Sequence, residues 1–260
     1  MADRVSHAES IARAASFTRS GIRTDGFLLT AFSRLAPSGK AESLTVYIEG
    51  DGLAWVTRTQ LSTNPTPANP TALQLAVQDR APSVVYLARP CQYTDPASDP
   101  KCQPTYWSGR RFAEEVIAST NQAIDQVKAR SGARRLHLVG YSGGGAVAAL
   151  VAARRDDVAS LRTVAGNLDH VALHRHHKVT QLTESLNAVN VAKSLKGLPQ
   201  RHYAGADDTV VPPFIAEGFA RAVADSRCVR AITVRGANHH DGWVALWPSL
   251  LRQPVACEPE

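Results

Sequence analysis

Residues 136–149, Leu-His-Leu-Val-Gly-Tyr-Ser-Gly-Gly-Gly-Ala-Val-Ala-Ala, read as a buried strand, a sharp turn centred on Ser142, and a helix of small residues. No other segment constrains the fold so closely. Leu136, Leu138 and Val139 form a short apolar run suited to a strand covered on both faces, and residues 146–151 can pack tightly against it. The pentapeptide Gly140-Tyr141-Ser142-Gly143-Gly144 fits G-x-S-x-G, whose glycines leave room around a residue carried in a strained conformation. Such a turn would lift the Ser142 hydroxyl above the sheet.

Around this unit the chain alternates strand and helix patterns. A helical pattern at 8–15 precedes extended runs at 17–23 and 27–33, and a stronger strand is predicted at 44–48. A helix at 71–78 precedes a strand at 84–88, and a long helix at 112–130 leads into the strand before Ser142. Beyond it come a helix at 144–154, strands at 161–165 and 201–204, a helix at 215–224, a strand at 229–234 and a closing helix at 244–251. This order specifies an α/β architecture, a mostly parallel central sheet with helices on both faces. No internal repeat is evident, and the Pro-rich stretch 64–70 is too short to separate domains, so the expectation is one domain over 1–260 with residues 1–16 as a peripheral helix.

Serine needs a base to take its proton and a group to orient that base. Gly205-Ala206-Asp207-Asp208-Thr209-Val210-Val211-Pro212 and Gly236-Ala237-Asn238-His239-His240-Asp241-Gly242-Trp243 each follow a strand-like run, which puts their polar residues at the carboxyl end of the sheet. Ligands bind there in open α/β sheets. A second chemistry can be fitted to the glycines: Gly143-x-Gly145-x-x-Ala148 matches a loose dinucleotide fingerprint, with Asp169 as its acidic partner. The fit is poor, because the motif lies mid-chain and its first glycines fall after the turn.

With Ser, Asp and His in that chain order, residues 27–251 resemble an α/β-hydrolase of the serine-hydrolase type, and look most like secreted bacterial hydrolases of undefined substrate. The resemblance implies Ser142 as nucleophile on a nucleophile elbow, Asp208 as the acid in a Gly-x-x-Asp-x-x-Val-Pro setting, and His239 as the base. Asp207 or Asp169 could replace Asp208, and His240 could displace His239. The loop Glu49-Gly50-Asp51-Gly52 stands where hydrolases of this group donate a backbone N–H to the oxyanion, which implies the amides of Asp51, or alternatively Gly52, and Gly143. Glu49 departs from the pattern, replacing a frequent histidine. An anion beside an anion-stabilising site is unfavourable unless it points away or is paired, so Glu49 is expected to anchor the loop through hydrogen bonds.

The activity so implied is hydrolysis of carboxylic esters of small molecules through an acyl-enzyme; thioester, amide and acyl-transfer chemistry, or a non-catalytic hydrolase-like binding protein, are the alternatives. No metal or organic cofactor is implied. His170, His174, His176 and His177 fall where hydrolases often insert a lid; Asp169 is their only close carboxylate, so a solvated loop is expected in preference to a metal site. Residues 167–199 are too few for a large cap domain. Trp55, Tyr106, Trp107, Tyr141 and Trp243 are candidates to line an acyl pocket, with core packing the equal alternative for each.

At 260 residues and 44% hydrophobic content, the chain can bury about 70–75% of its unfolded surface in one core. The first 25 residues have no apolar signal core, and no run of 18 apolar residues occurs, so no transmembrane segment is expected. Cys91, Cys102, Cys228 and Cys257 lie in loops and tails, a placement that suggests two disulfides and a secreted or periplasmic protein whose signal segment has been removed. Three pairings are possible, and the local one, Cys91 with Cys102 and Cys228 with Cys257, is favoured; four reduced thiols in a cytoplasmic enzyme are the alternative. The net charge of +6 is carried by scattered pairs such as Arg110-Arg111 and Arg154-Arg155, which reads as solvated surface and argues against nucleic acid as a partner.

Overall fold

The alternating pattern closes into one eight-stranded sheet in the computed structural model, which describes residues 2–37, 41–57, 59–95, 97–225 and 227–258. The strands are β1 (Thr18–Arg23), β2 (Leu28–Arg34), β3 (Ser43–Ile48), β4 (Val84–Leu87), β5 (Arg135–Tyr141), β6 (Val158–Val164), β7 (Gln200–Gly205) and β8 (Val229–Val234). Their spatial order is β1-β2-β4-β3-β5-β6-β7-β8. The β1–β2 and β2–β4 pairs are antiparallel, and every pair from β4–β3 to β7–β8 is parallel.

Because successive side chains of a strand point to opposite faces, the apolar runs feed two separate cores. Leu44, Val46, Ile48, Val85, Leu87, Leu136 and Leu138 belong to one cluster, whereas Tyr47, Val84, Tyr86, Val139 and Tyr141 belong to the other. The first cluster is completed by α3 (Glu114–Ser131), α4 (Gly143–Ala152) and α6 (Phe214–Val223) through residues such as Ile117, Ile124, Val147 and Phe219. The second is completed by α1 (Ala2–Ala14), α2 (Thr71–Ala76) and α7 (Trp243–Leu251) through Ala8, Ala12, Leu73, Leu75, Trp243 and Trp247. Every residue of α4 is buried, which explains its composition of Gly, Ala, Val and one Leu: a bulkier helix could not lie so close to the strands.

Between β6 and β7 the chain forms α5 (His170–His177) and a 3-10 segment (Ala188–Leu195), with no lid-sized insertion. The expected solvated histidine loop is therefore corrected to a helix. His170 and His174 are buried, and Asp169 caps the helix by accepting from Ala172 N at 3.0 Å. Among the described residues no group of three or more His, Cys, Asp or Glu side chains is arranged to hold a metal ion. Among the described residues no helix is long and apolar enough to cross a membrane. The cysteines pair as Cys91–Cys102 and Cys228–Cys257. The first clips the loop after β4; the second ties the entry to β8 to the C-terminal tail.

Candidate active site

β3, β5, β7 and β8 run parallel, so the loops at their carboxyl ends meet along one edge of the sheet. At the end of β5 the chain reverses into α4 within a single residue. Ser142 takes up that reversal with φ 50° and ψ −121°, a left-handed conformation costly for a residue with a side chain. The reversal is possible only if the helix can start against the sheet. A Cβ on Gly140 would overlap the carbonyl of Gly144, and one on Gly144 would overlap the carbonyls of Ile48 and Glu49.

Ser142 keeps only 9% of its surface exposed, and its Oγ lies 3.1 Å from His239 Nε2. On the far side of the ring, Nδ1 lies 2.9 Å from Asp208 Oδ2. The remaining oxygen, Asp208 Oδ1, accepts from the N–H groups of Val210 and Val211 at 2.9 and 2.7 Å. A carboxylate so saturated offers Oδ2 to the imidazole, which puts the proton on Nδ1 and leaves Nε2 as an acceptor for the serine hydroxyl. Hydroxyl, imidazole and carboxylate in this sequence can relay a proton away from an attacking oxygen.

Two contacts hold the histidine loop in place. Tyr141 donates its hydroxyl to the His239 carbonyl at 2.8 Å and sets its ring beside the imidazole. Asp207 N donates to the Ala237 carbonyl at 3.2 Å, joining the acid loop to the histidine loop. The competing residues lie outside this line: the Asp207 and His240 side chains are exposed, the His240 ring edge-on to that of His239, and Asp169 accepts from Ala172 N and Asn187 Nδ2. The dinucleotide reading meets a carboxylate where it needs space for a pyrophosphate. A Cβ on Gly143 would overlap Asp51, and one on Gly145 would come within 2.9 Å of Gly166 Cα.

The loop after β3 crosses this edge. A Cβ on Gly50 would stand 3.2 Å from Ser142 Cβ, so Gly50 and Asp51 lie directly against the serine turn. Gly143 is the first residue of α4, where backbone N–H groups have no partner within the helix. Gly52, with φ 65°, is turned against the Pro65 carbonyl. Glu49 is wholly buried: its Oε1 accepts from Gly50 N at 2.9 Å and Ala72 N at 3.3 Å, fastening the loop to the start of α2. Burial pushes its pKa up to about 7 against the lowering effect of those amides. Its Oε2 and the hydroxyls of Tyr86 and Tyr93 close no hydrogen bond of ordinary geometry among the described residues, although the three groups interact electrostatically.

Asp51 is gripped by two guanidinium groups, Arg89 Nη1 on Oδ1 at 3.1 Å and Arg111 Nη1 on Oδ2 at 2.9 Å. Burial raises the Asp51 pKa, but the two arginines outweigh it and leave the carboxyl below its ordinary range. Gln92 completes the brace, accepting from Arg89 N and donating to the Gly50 carbonyl, both at 3.0 Å. These three residues were not legible as site residues. Arg111 in particular belongs to a pair that reads as surface charge, yet its side chain is only 13% exposed.

The aromatic candidates divide. Trp55 is 42% exposed on the loop after β3, and Tyr106 and Trp107 line a small gap together with Asp51 and Arg89. Tyr106 donates to Glu115 and Trp107 to the Ser62 carbonyl. Trp243 is wholly buried in the second core, which selects core packing, the alternative the sequence left open for it, over the acyl pocket.

No family model matches the chain, and no curated protein matches it. Solved structures do. Est1E from Butyrivibrio proteoclasticus superposes with a TM-score of 0.62 at 12% identity over 90% of this chain and 96% of that one. The esterase PF2001 of Pyrococcus furiosus gives 0.61 at 14% identity, over 92% and 89%. XC6422 from Xanthomonas campestris, described as an a/b serine hydrolase without lid, gives 0.58 at 13% identity, over 90% and 91%. Likeness of this extent at such low identity is a likeness of architecture, and the chain has the α/β-hydrolase fold.

Proposed function

We propose that this protein is a serine hydrolase that cleaves carboxylic esters of small molecules through an acyl-enzyme. Ser142 Oγ bonds to the ester carbonyl carbon while its proton passes to His239 Nε2 and the carbonyl electron pair moves onto oxygen. The N–H groups of Asp51 and Gly143 receive that oxyanion. As the intermediate collapses, His239 returns the proton to the departing alkoxide, and Asp208 balances the imidazolium throughout. Water, deprotonated by the same imidazole, then attacks the acyl-serine, and the serine regains its proton as the acid leaves.

The observation that carries this reading is the line from Ser142 Oγ through His239 to Asp208, at 3.1 and 2.9 Å, with the second carboxylate oxygen already satisfied by backbone. Structural neighbours described as an esterase and as a serine hydrolase support the same class. One domain carries the whole site, and the two cysteine pairs support a secreted or periplasmic setting. The test is turnover of p-nitrophenyl acetate by Ser142→Ala: a loss of roughly a thousand-fold or more with far-UV circular dichroism unchanged supports it, and retained turnover overturns it.

A further inference from the structure

An acid at the oxyanion position is a handicap unless its charge is cancelled, because a carboxylate beside the developing oxyanion would repel it. Asp51 is such an acid. Its carboxylate lies so close to Gly143 that a Cβ there would overlap it, and it sits on the loop against Ser142. The charge here is more than cancelled: Arg89 and Arg111 both bind the one carboxylate, with side chains only 5% and 13% exposed. Arg89 Nη2 also donates to the Arg111 carbonyl, and Arg111 Nε to the Ser108 carbonyl, so neither guanidinium is free to swing away. Glu49, the other acid of the loop, lies wholly buried and hydrogen-bonded to backbone. A second desolvated cation that pairs with no further carboxylate, and is drawn to Glu49 only at longer range, is expensive to keep. It is kept beside the proposed reacting carbonyl.

We infer that Arg89, Asp51 and Arg111 form a positively charged clamp in which the carboxylate holds the Asp51 N–H at the oxyanion and the surplus guanidinium charge stabilises that oxyanion. This rests on the serine-hydrolase reading, in which the Asp51 N–H meets the oxyanion, and adds to it the Asp51 carboxylate, Arg89 and Arg111 as positioning groups that touch no substrate. The charge itself does the work. Restoring the net charge should therefore restore rate even when contacts are lost.

The experiment is a charge cycle, measuring kcat and KM separately for a p-nitrophenyl ester. Arg111→Gln leaves one cation on one anion, and kcat should fall about tenfold or more with KM changed less than about threefold. Adding Asp51→Asn to that variant returns the net charge to +1, and kcat should recover about tenfold although one more native contact is gone. A purely structural brace gives the opposite, a double variant no faster than Arg111→Gln, and that result overturns the clamp. An unchanged kcat in Arg111→Gln overturns it as well. If Arg111→Gln does not fold, the comparison passes to Arg111→Lys, which keeps the charge and loses the fork: kcat within about threefold of the parent supports the clamp, and a loss of about tenfold overturns it. A parent protein that turns over no ester removes the hydrolase reading and the clamp with it; an active parent indifferent to these substitutions removes the clamp alone.

Discussion

At the residue scale, what distinguishes two adjacent acids is their hydrogen-bond environment. Asp208 is buried with one oxygen saturated by the amides of Val210 and Val211 and the other on His239, whereas the Asp207 side chain is exposed. Replacing Asp208 by Asn should cost about a thousand-fold or more in ester turnover, because an amide favours the wrong imidazole tautomer, while Asp207→Asn should stay within about twofold. Parallel kinetics on the two variants check this, and equal losses would contradict it. The strand-turn-helix pattern pointed to Ser142, and the likeness to α/β-hydrolases pointed to Asp208 and His239, with Asp207, Asp169 and His240 as their alternatives. Neither could point to Arg89 and Arg111, which reach Asp51 from 38 and 60 positions away by folding alone, or to Gln92, which reaches the Gly50 carbonyl from 42 positions away. Nothing local in Arg110-Arg111 tells that only the second side chain turns inward.

At the element scale, strands and helices were legible wherever period-2 or period-3.6 patterning met a turn residue, as at β3, β5 and α3. α5 was not, because a run of His, Arg and Lys hides its buried stripe of His170, Leu173 and His174; the cap at Asp169 was the available sign. The junction of β3 with α2 carries a testable electrostatic cost. Glu49 titrates near pH 7 in the folded chain and near 4.5 when unfolded, so the folded state binds the extra proton between those values. Stability from this group is full below about pH 4.5 and is lost as pH rises toward 7, by on the order of 3 kcal/mol in total. Glu49→Gln keeps an acceptor for Gly50 N and Ala72 N but cannot ionise. Its stability relative to the parent should therefore rise between pH 4.5 and 8 in urea unfolding. A difference independent of pH would contradict the assignment.

At the scale of the whole molecule, two cores on either side of one sheet carry the stability, and each covalent clip ties a cysteine buried in the first core, Cys91 or Cys228, to a partly buried one. Each closes a loop of 11 or 29 residues and should contribute about 3 kcal/mol by limiting the unfolded chain. A thiol count on the denatured, unreduced protein should find no free cysteine, and reduction should lower the thermal midpoint by several degrees. Four titratable thiols would contradict both the pairing and the oxidising compartment proposed from it. The central claim concerns a single oxygen. Incubation with a fluorophosphonate followed by peptide mapping should find one phosphonyl group, on Ser142, and none in His239→Ala. A protein left unmodified, or modified at another residue, would contradict the assignment of Ser142 as the nucleophile.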